Sequence, residues 1–315
     1  MKAVIALSGL AGLLIFGPPF VKARTHRHEV SVIVHEATLA HKETQAHIEA
    51  AAHASWDGQD NCKFEAERTG SVPAGSVREL LLTAGAGSLE VVGVEGLDRV
   101  QMVGRACASH EEFLEDIQVT AKVEGSSLVM ETQHPDLSGW RGGNRYARLD
   151  LRVEVPMGLA AEIRDGSGEI TASGLGSLRI QDGSGEVTVT GITGDLAIQD
   201  GSGELDLRNI SGSVEIQDGS GEIYLEGVGS DVVIHDSSGG LEILGIEGSV
   251  TLADSSGEIA VEDVSGSVTV LGDSSGDIRV DGVGGDFIVK GDGSGEIHFE
   301  NVTGAVDVPI KKRGR

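Results

Sequence analysis

Carboxylates recur through the second half of this chain at a spacing that could do chemistry. Asp182 with Glu186, Asp200 with Glu204 and Asp218 with Glu222 each bracket one Gly-Ser-Gly turn, and the unit D-G-S-G-E returns at Asp292. Oxygen-only donors of this kind suit a hard cation, so stacked turns would make a calcium ladder from Asp182, Asp200, Asp218, Glu186, Glu204 and Glu222. The calcium-binding β-roll motif G-G-x-G-x-D-x-U-x has the same nine-residue length. Here, however, the acid directly follows Gly, and Val, Ile or Leu stands where that motif needs Asp. The competing reading needs no cofactor: Asp accepts backbone hydrogen bonds at the turn and Glu is solvated.

The remaining chemistry-bearing residues give weaker patterns. Six of the ten histidines, His26, His28, His35, His41, His47 and His53, lie in residues 24–60. The last three step by six residues, which spreads them around a helix, and after His35-Glu36 the position that H-E-x-x-H needs holds Leu39. A solvated leader accounts for them, with His26-x-His28 as a loose metal grip. His235 and Gly240 break the repeat, and a lone His beside Asp236 reads as a surface residue. Trp140, Arg141, Arg145 and Tyr146 gather side chains enriched at binding hot spots, or else cap the first coil. Glycoside chemistry would need a carboxylate pair singled out beside a groove with aromatic stacking, whereas the acids here are equivalent by position. No catalytic residue is assigned.

The elements that must position these carboxylates follow from the repeat. Anchor aspartates stand at Asp165, Asp182, Asp200, Asp218, Asp236, Asp254, Asp273 and Asp292, separated by 17, 18, 18, 18, 18, 19 and 19 residues. Each interval splits into two halves of about nine residues, apolar at the sixth and eighth positions, as in Val187/Val189 and Leu196/Ile198. That is the period of a strand with one face inward. The second half adds an apolar residue at its second position (Ile192, Ile210, Val228), which plugs one bend and leaves the D-x-S-G-E bend tight and exposed.

The expected fold is all-β: a right-handed parallel β-helix with coils of about 18 residues and two short strands per coil, because the apolar positions do not recur every six. Insertions at Gly272 and Gly291 are expected to sit in turns. Strand-like runs at residues 77–82, 85–93, 100–103, 118–123, 127–131 and 149–155, with a short acidic helix at 109–116, read as degenerate coils before the regular ones. The organisation expected is a signal peptide (1–23), a His/Ala-rich leader (24–60) opening on a strand-like run at 30–34, irregular N-terminal rungs and cap (61–160), regular solenoid (161–308) and basic tail (309–315).

Composition bounds the partners. Fifty acidic against 24 basic side chains give a formal charge of −26, and residues 165–303 alone hold 27 acids and four bases. Nucleic acid and anionic membranes are thereby disfavoured, while cations, cationic envelope components and neutral glycans are easier partners. Lys2, an apolar run at residues 3–17 and Val21-Lys22-Ala23 resemble a cleavable export signal, with an uncleaved anchor as the alternative; the run falls short of the ~20 residues that span a bilayer. Export to the periplasm or cell surface suits a disulfide between Cys62 and Cys107, the alternative being two buried thiols.

At these residues the chain resembles the bacterial "putative adhesin" family of β-strand-repeat proteins. The resemblance is carried by G-A-G-S-L-E-V at residues 85–91, the strand ending in Val155-Pro156, and the D-G-S-G-E units, and it covers roughly residues 76–308. It implies a β-solenoid of adhesive role and carries over no catalytic residue. Three functional classes follow: a non-enzymatic exported adhesin-like rod presenting an acidic ladder, a self-associating structural envelope module, and a carbohydrate-active β-helix enzyme as the lesser alternative.

Overall fold

Alternating side chains decide which face of each strand is dry. Leu178, Ile180, Leu196 and Ile198 are at most 3% exposed, while Arg179, Gln181 and Gln199 between and beside them face solvent. The computed structural model describes residues 31–33, 62–138 and 145–309, the first of these as backbone alone. The signal segment, the six leader histidines, Trp140, Arg141 and the tail from Lys311 to Arg315 lie outside the described residues.

Two sheets face each other across the aliphatic interior. From β9 (Ala160–Arg164) and β10 (Ile170–Ser173) to β24 (Ile297–Val302) and β25 (Val306–Asp307), successive strands alternate between the sheets, and every pair is parallel. This is the parallel β-solenoid with coils of about 18 residues, and its register is repeat-exact: Val187 pairs with Leu205, Val189 with Leu207 and Ile192 with Ile210. The plug residues Ile192, Ile210 and Val228 are at most 1% exposed.

Eight strands precede the regular coils, partly as irregular rungs and partly as a cap. They are β1 (Ser31–Ile33), β2 (Phe64–Pro73), β3 (Glu79–Thr83), β4 (Leu89–Val94), β5 (Arg99–Ala108), β6 (Gln118–Glu124), β7 (Ser127–Gln133) and β8 (Ala147–Pro156). Of these, β3 and β4 make a coil of the later kind. They are clamped between β9 and β10 on one side and β7 and β8 on the other, all in parallel pairing. The chain therefore builds one rung, leaves to make the cap, stacks β7 and β8 on its outer side, and crosses back over it through residues 157–159. Met157 N–H donates to Val94 O at 3.0 Å on that crossing.

The cap itself is antiparallel, β2 against β5, β5 against β8, β6 against β7 and β1 against β6. Strand β1 coincides with the strand-like start of the leader, so that segment supplies an edge strand. Antiparallel pairing closes the end by covering strand edges without adding a further coil, and of these pairs only β6 and β7 are joined by a short turn.

Strand β2 has a physical reason for being illegible in the sequence: a charged residue holds a core position. Arg68 is 4% exposed and donates from Nε to Ile117 O at 2.8 Å and from Nη2 to Leu114 O at 2.6 Å. Both carbonyls belong to the exit of the acidic 3-10 helix Glu111–Asp116, whose end attracts a cation. Cys62, just before β2, is bonded to Cys107 in β5, with Cα atoms 5.6 Å apart.

The insertion at Gly272 is absorbed inside a strand end. Val270 pairs with Val289 and, in the preceding rung, the register shifts after Leu252 so that Ala253 meets Gly272. Leu271 is the residue pushed out, at 37% exposure. A bulge of this kind leaves the inward parity of the next residue intact.

Rung spacing demands glycine at one turn position. Gly203 has φ +154°, and a Cβ there would stand 1.6 Å from the carbonyl oxygen of Gly185 in the rung below. At Gly240 nothing lies within 4 Å of an added Cβ. We expect Gly203→Ala to cost about 4 kcal/mol or more, the range reserved for gross steric conflict, while Gly240→Ala stays within about 0.5 kcal/mol of the parent in denaturant unfolding. Reducing the Cys62–Cys107 bond is expected to lower stability by about 2–4 kcal/mol, read as a lower denaturant midpoint with reductant present.

Candidate functional site: a two-sided carboxylate turn

Each D-x-S-G-E turn is held by bonds from rung to rung. Asp182, Asp200, Asp218 and Asp236 donate their backbone N–H to Gln199, Gln217, His235 and Ala253 at 2.9 Å, and Gly203 N–H donates to Ser220 O at 3.0 Å. The corners therefore superpose, and so do their side chains.

The two acids of each turn stack as separate columns, as expected, and lie on opposite sides of the turn. Glu169, Glu186, Glu204, Glu222, Glu258 and Glu296 are exposed. Asp182, Asp200, Asp218, Asp236 and Asp254 are only 5–8% exposed. The reason is parity: Asp182 continues the inward series of Leu178 and Ile180, as Asp200 continues Leu196 and Ile198 and Asp218 continues Val214 and Ile216. The bulge at Leu271 keeps Asp273 in the same series despite the added residue, and Asp273 is 5% exposed. The role expected of Asp, accepting backbone hydrogen bonds at the turn, is observed as well; its inward parity, though readable in the alternation, was not anticipated.

Inside the turn, one carboxylate oxygen is used and the other is not. Oδ1 accepts the next backbone N–H at 2.8 Å in Asp182 and 2.7 Å in Asp200, Asp218 and Asp236. Oδ2 of Asp182, Asp200, Asp218, Asp236 and Asp254 is buried with no hydrogen-bond partner. Burial pushes these carboxyls above the usual range, and the neighbouring aspartates add to it: Asp182 acts on Asp200, Asp200 on Asp218, Asp218 on Asp236 and Asp236 on Asp254. At Asp165, burial and then the charge of Asp182 raise the pKa to about 6. The turn N–H groups oppose the shift without cancelling it.

Outside, the acids are partly matched by the few bases. Arg208 reaches Asp206 at 2.6 Å and Glu226 at 3.3 Å, and its guanidinium lies 4.5 Å from the ring centre of Tyr224, whose hydroxyl donates to Glu226 at 2.9 Å. Arg279 pairs with Glu258 across rungs. His235 is exposed, as its position beside Asp236 suggested, and Tyr146 is occupied in the cap, its hydroxyl accepting from Lys63 N–H at 3.0 Å. Among the described residues no cluster of three or more His, Cys, Asp or Glu is arranged to hold a metal ion, and no helix is long and apolar enough to cross a membrane.

No family model and no curated protein matches the chain. Solved structures similar to it include a "putative adhesin" from Parabacteroides merdae, 12% identical, with a TM-score of 0.46 over 73% of this chain and 95% of that one. A "putative adhesin" from Parabacteroides distasonis is 13% identical, with a TM-score of 0.42 over 74% and 97%. A "putative cell adhesion protein" from Clostridium sporogenes is 13% identical, with a TM-score of 0.29 over 77% and 100%.

Exposed like charges one rung apart, ~4.8 Å, oppose each other by about 0.9 kcal/mol at water's dielectric constant. Replacing Glu204 and Glu222 with Gln should therefore raise the melting temperature in low salt, and the gain should shrink towards zero in about 1 M salt, where screening shortens to a few ångströms. Thermal melts of both chains at two salt concentrations check this.

Proposed function

We propose that this protein is a non-enzymatic, exported adhesin-like rod whose outward glutamate column meets a cationic or glycan component of the cell envelope or of a neighbouring surface. The observation that carries the reading is the superposition of exposed Glu169, Glu186, Glu204 and Glu222 along one edge of a regular solenoid. Eight rungs at ~4.8 Å present that edge over roughly 40 Å, long enough for several weak contacts to act together. The apolar run at residues 3–17 supports export.

A second reading, self-association, is favoured by one feature. The last strands, β24 and β25, form the terminal rung among the described residues, and Phe299 and Val306 there are 43% and 39% exposed. An open strand edge beside exposed apolar side chains is a template for pairing.

Binding to a glycan array and to polycation-coated beads, repeated with Glu186, Glu204 and Glu222 all changed to Gln, tests the first reading. The expected result is retention that weakens with salt and falls at least tenfold in the variant. Equal retention by both chains would remove the column from the function. Sedimentation at rising concentration reports the second reading, which a concentration-independent monomer would end.

A further inference from the structure

The inward aspartates pose a problem that the outward glutamates do not. Five consecutive rungs place a carboxyl in an aliphatic interior, and each leaves Oδ2 buried and unpartnered. Ionised, each would be an uncompensated buried charge a rung away from the next, an arrangement that costs far more than an exposed pair. Stacking sets these carboxyls one rung apart, and the charge of each acts on the next: Asp182 on Asp200, Asp200 on Asp218 and Asp218 on Asp236. Two carboxylates can only accept, so a bond between them requires a proton on one of them.

We propose that Asp182, Asp200, Asp218, Asp236 and Asp254 form a proton-holding ladder, in which the inward oxygens carry or share protons from rung to rung and keep the interior of the solenoid neutral. The groups packed around the column supply no countercharge. The strand before each turn contributes Ile180, Ile198, Ile216, Ile234 or Leu252, and the strand after it Val187, Leu205, Ile223, Leu241 or Ile259, all at most 3% exposed. Glu186, Glu204, Glu222 and Glu258 close the same turns but face solvent, as does His235 beside Asp236. Asp165 continues the column at its N-terminal end and Asp273 at the other. The charges that act on these carboxyls are those of their own neighbours. The ladder needs no metal, and among the described residues no group of three or more His, Cys, Asp or Glu is arranged to hold one.

The direction of the pH effect follows from where protons bind. A free aspartate in the unfolded chain releases its proton near pH 3.9, whereas the folded column holds it to higher pH, to about 6 at Asp165. Between these values the folded chain binds more protons than the unfolded one, so stability is greatest in mild acid and is lost as pH rises through the window.

Thermal melts of the full chain from about pH 4 to about pH 8 in chelator test the ladder. The expected result is a melting temperature that falls with rising pH up to about pH 6 and then flattens. Asp200→Asn with Asp218→Asn keeps the Oδ1 acceptor and places a permanent donor at the other position. That variant should show a shallower pH dependence and melt at or above the parent at neutral pH. Should it fail to fold, the parent alone decides, through the infrared carbonyl stretch of protonated carboxyls at about pH 6, where exposed glutamates are ionised. Presence of that band supports the ladder. A melting temperature that rises with pH across the window, an undiminished slope in the folded variant, or no protonated-carboxyl band would overturn it. Calcium raising the melting point at neutral pH while the band disappears would overturn it too, in favour of a metal column.

Discussion

In-register stacking of parallel rungs is the constraint on which everything else in this structure depends. A coil of about 18 residues has two short strands and cannot bury its own aliphatics; it becomes dry only when identical inward positions lie above and below it. The same superposition that aligns Val187 with Leu205 also aligns every other residue type at its own position. Favourable contacts and unfavourable ones are therefore multiplied alike. Aliphatic rows gain from this, glycine rows are obliged by it, and carboxylate rows must find some other relief.

The glycine and aspartate rows show two ways in which a turn meets that demand. At Gly203 the rung below comes so close that no side chain fits, so the residue type follows from backbone spacing and not from local preference alone. At the aspartates one oxygen secures the turn by accepting the next N–H, while the other is left in the dry interior. The outward glutamates have solvent to screen them, and Glu258 has Arg279 to neutralise it. One turn thus separates two carboxylates into chemically different environments.

A solenoid also has two ends, and they are treated differently. The N-terminal end is closed by antiparallel strands, by the buried Arg68 bonded to the carbonyls at the exit of the 3-10 helix, and by the Cys62–Cys107 bridge. The rung of β3 and β4 is enclosed by strands that come later in the chain, with β7 and β8 on the cap side and β9 and β10 on the other, so peeling the cap away would expose that rung's outer face. At the other end, among the described residues, β24 and β25 carry the sheets to an edge with Phe299 and Val306 half exposed.

The coil length, the two strands per coil, the inward identity of Val187 and Val189 and the plug at Ile192 were legible in the sequence, because each is set by local alternation that the repeat restates many times. The inward aspartates were legible in the same alternation, though only their role as backbone acceptors at the turn was anticipated, and packing shows parity prevailing. Neither the antiparallel cap nor the crossing over the first rung could be read locally. The partners of β2, β5 and β8 lie tens of residues away, and the buried Arg68 breaks the pattern that would have revealed β2. What repeats along a chain is written in every copy of the repeat, whereas what happens once, at an end, is decided by long-range contacts that only the folded molecule brings together.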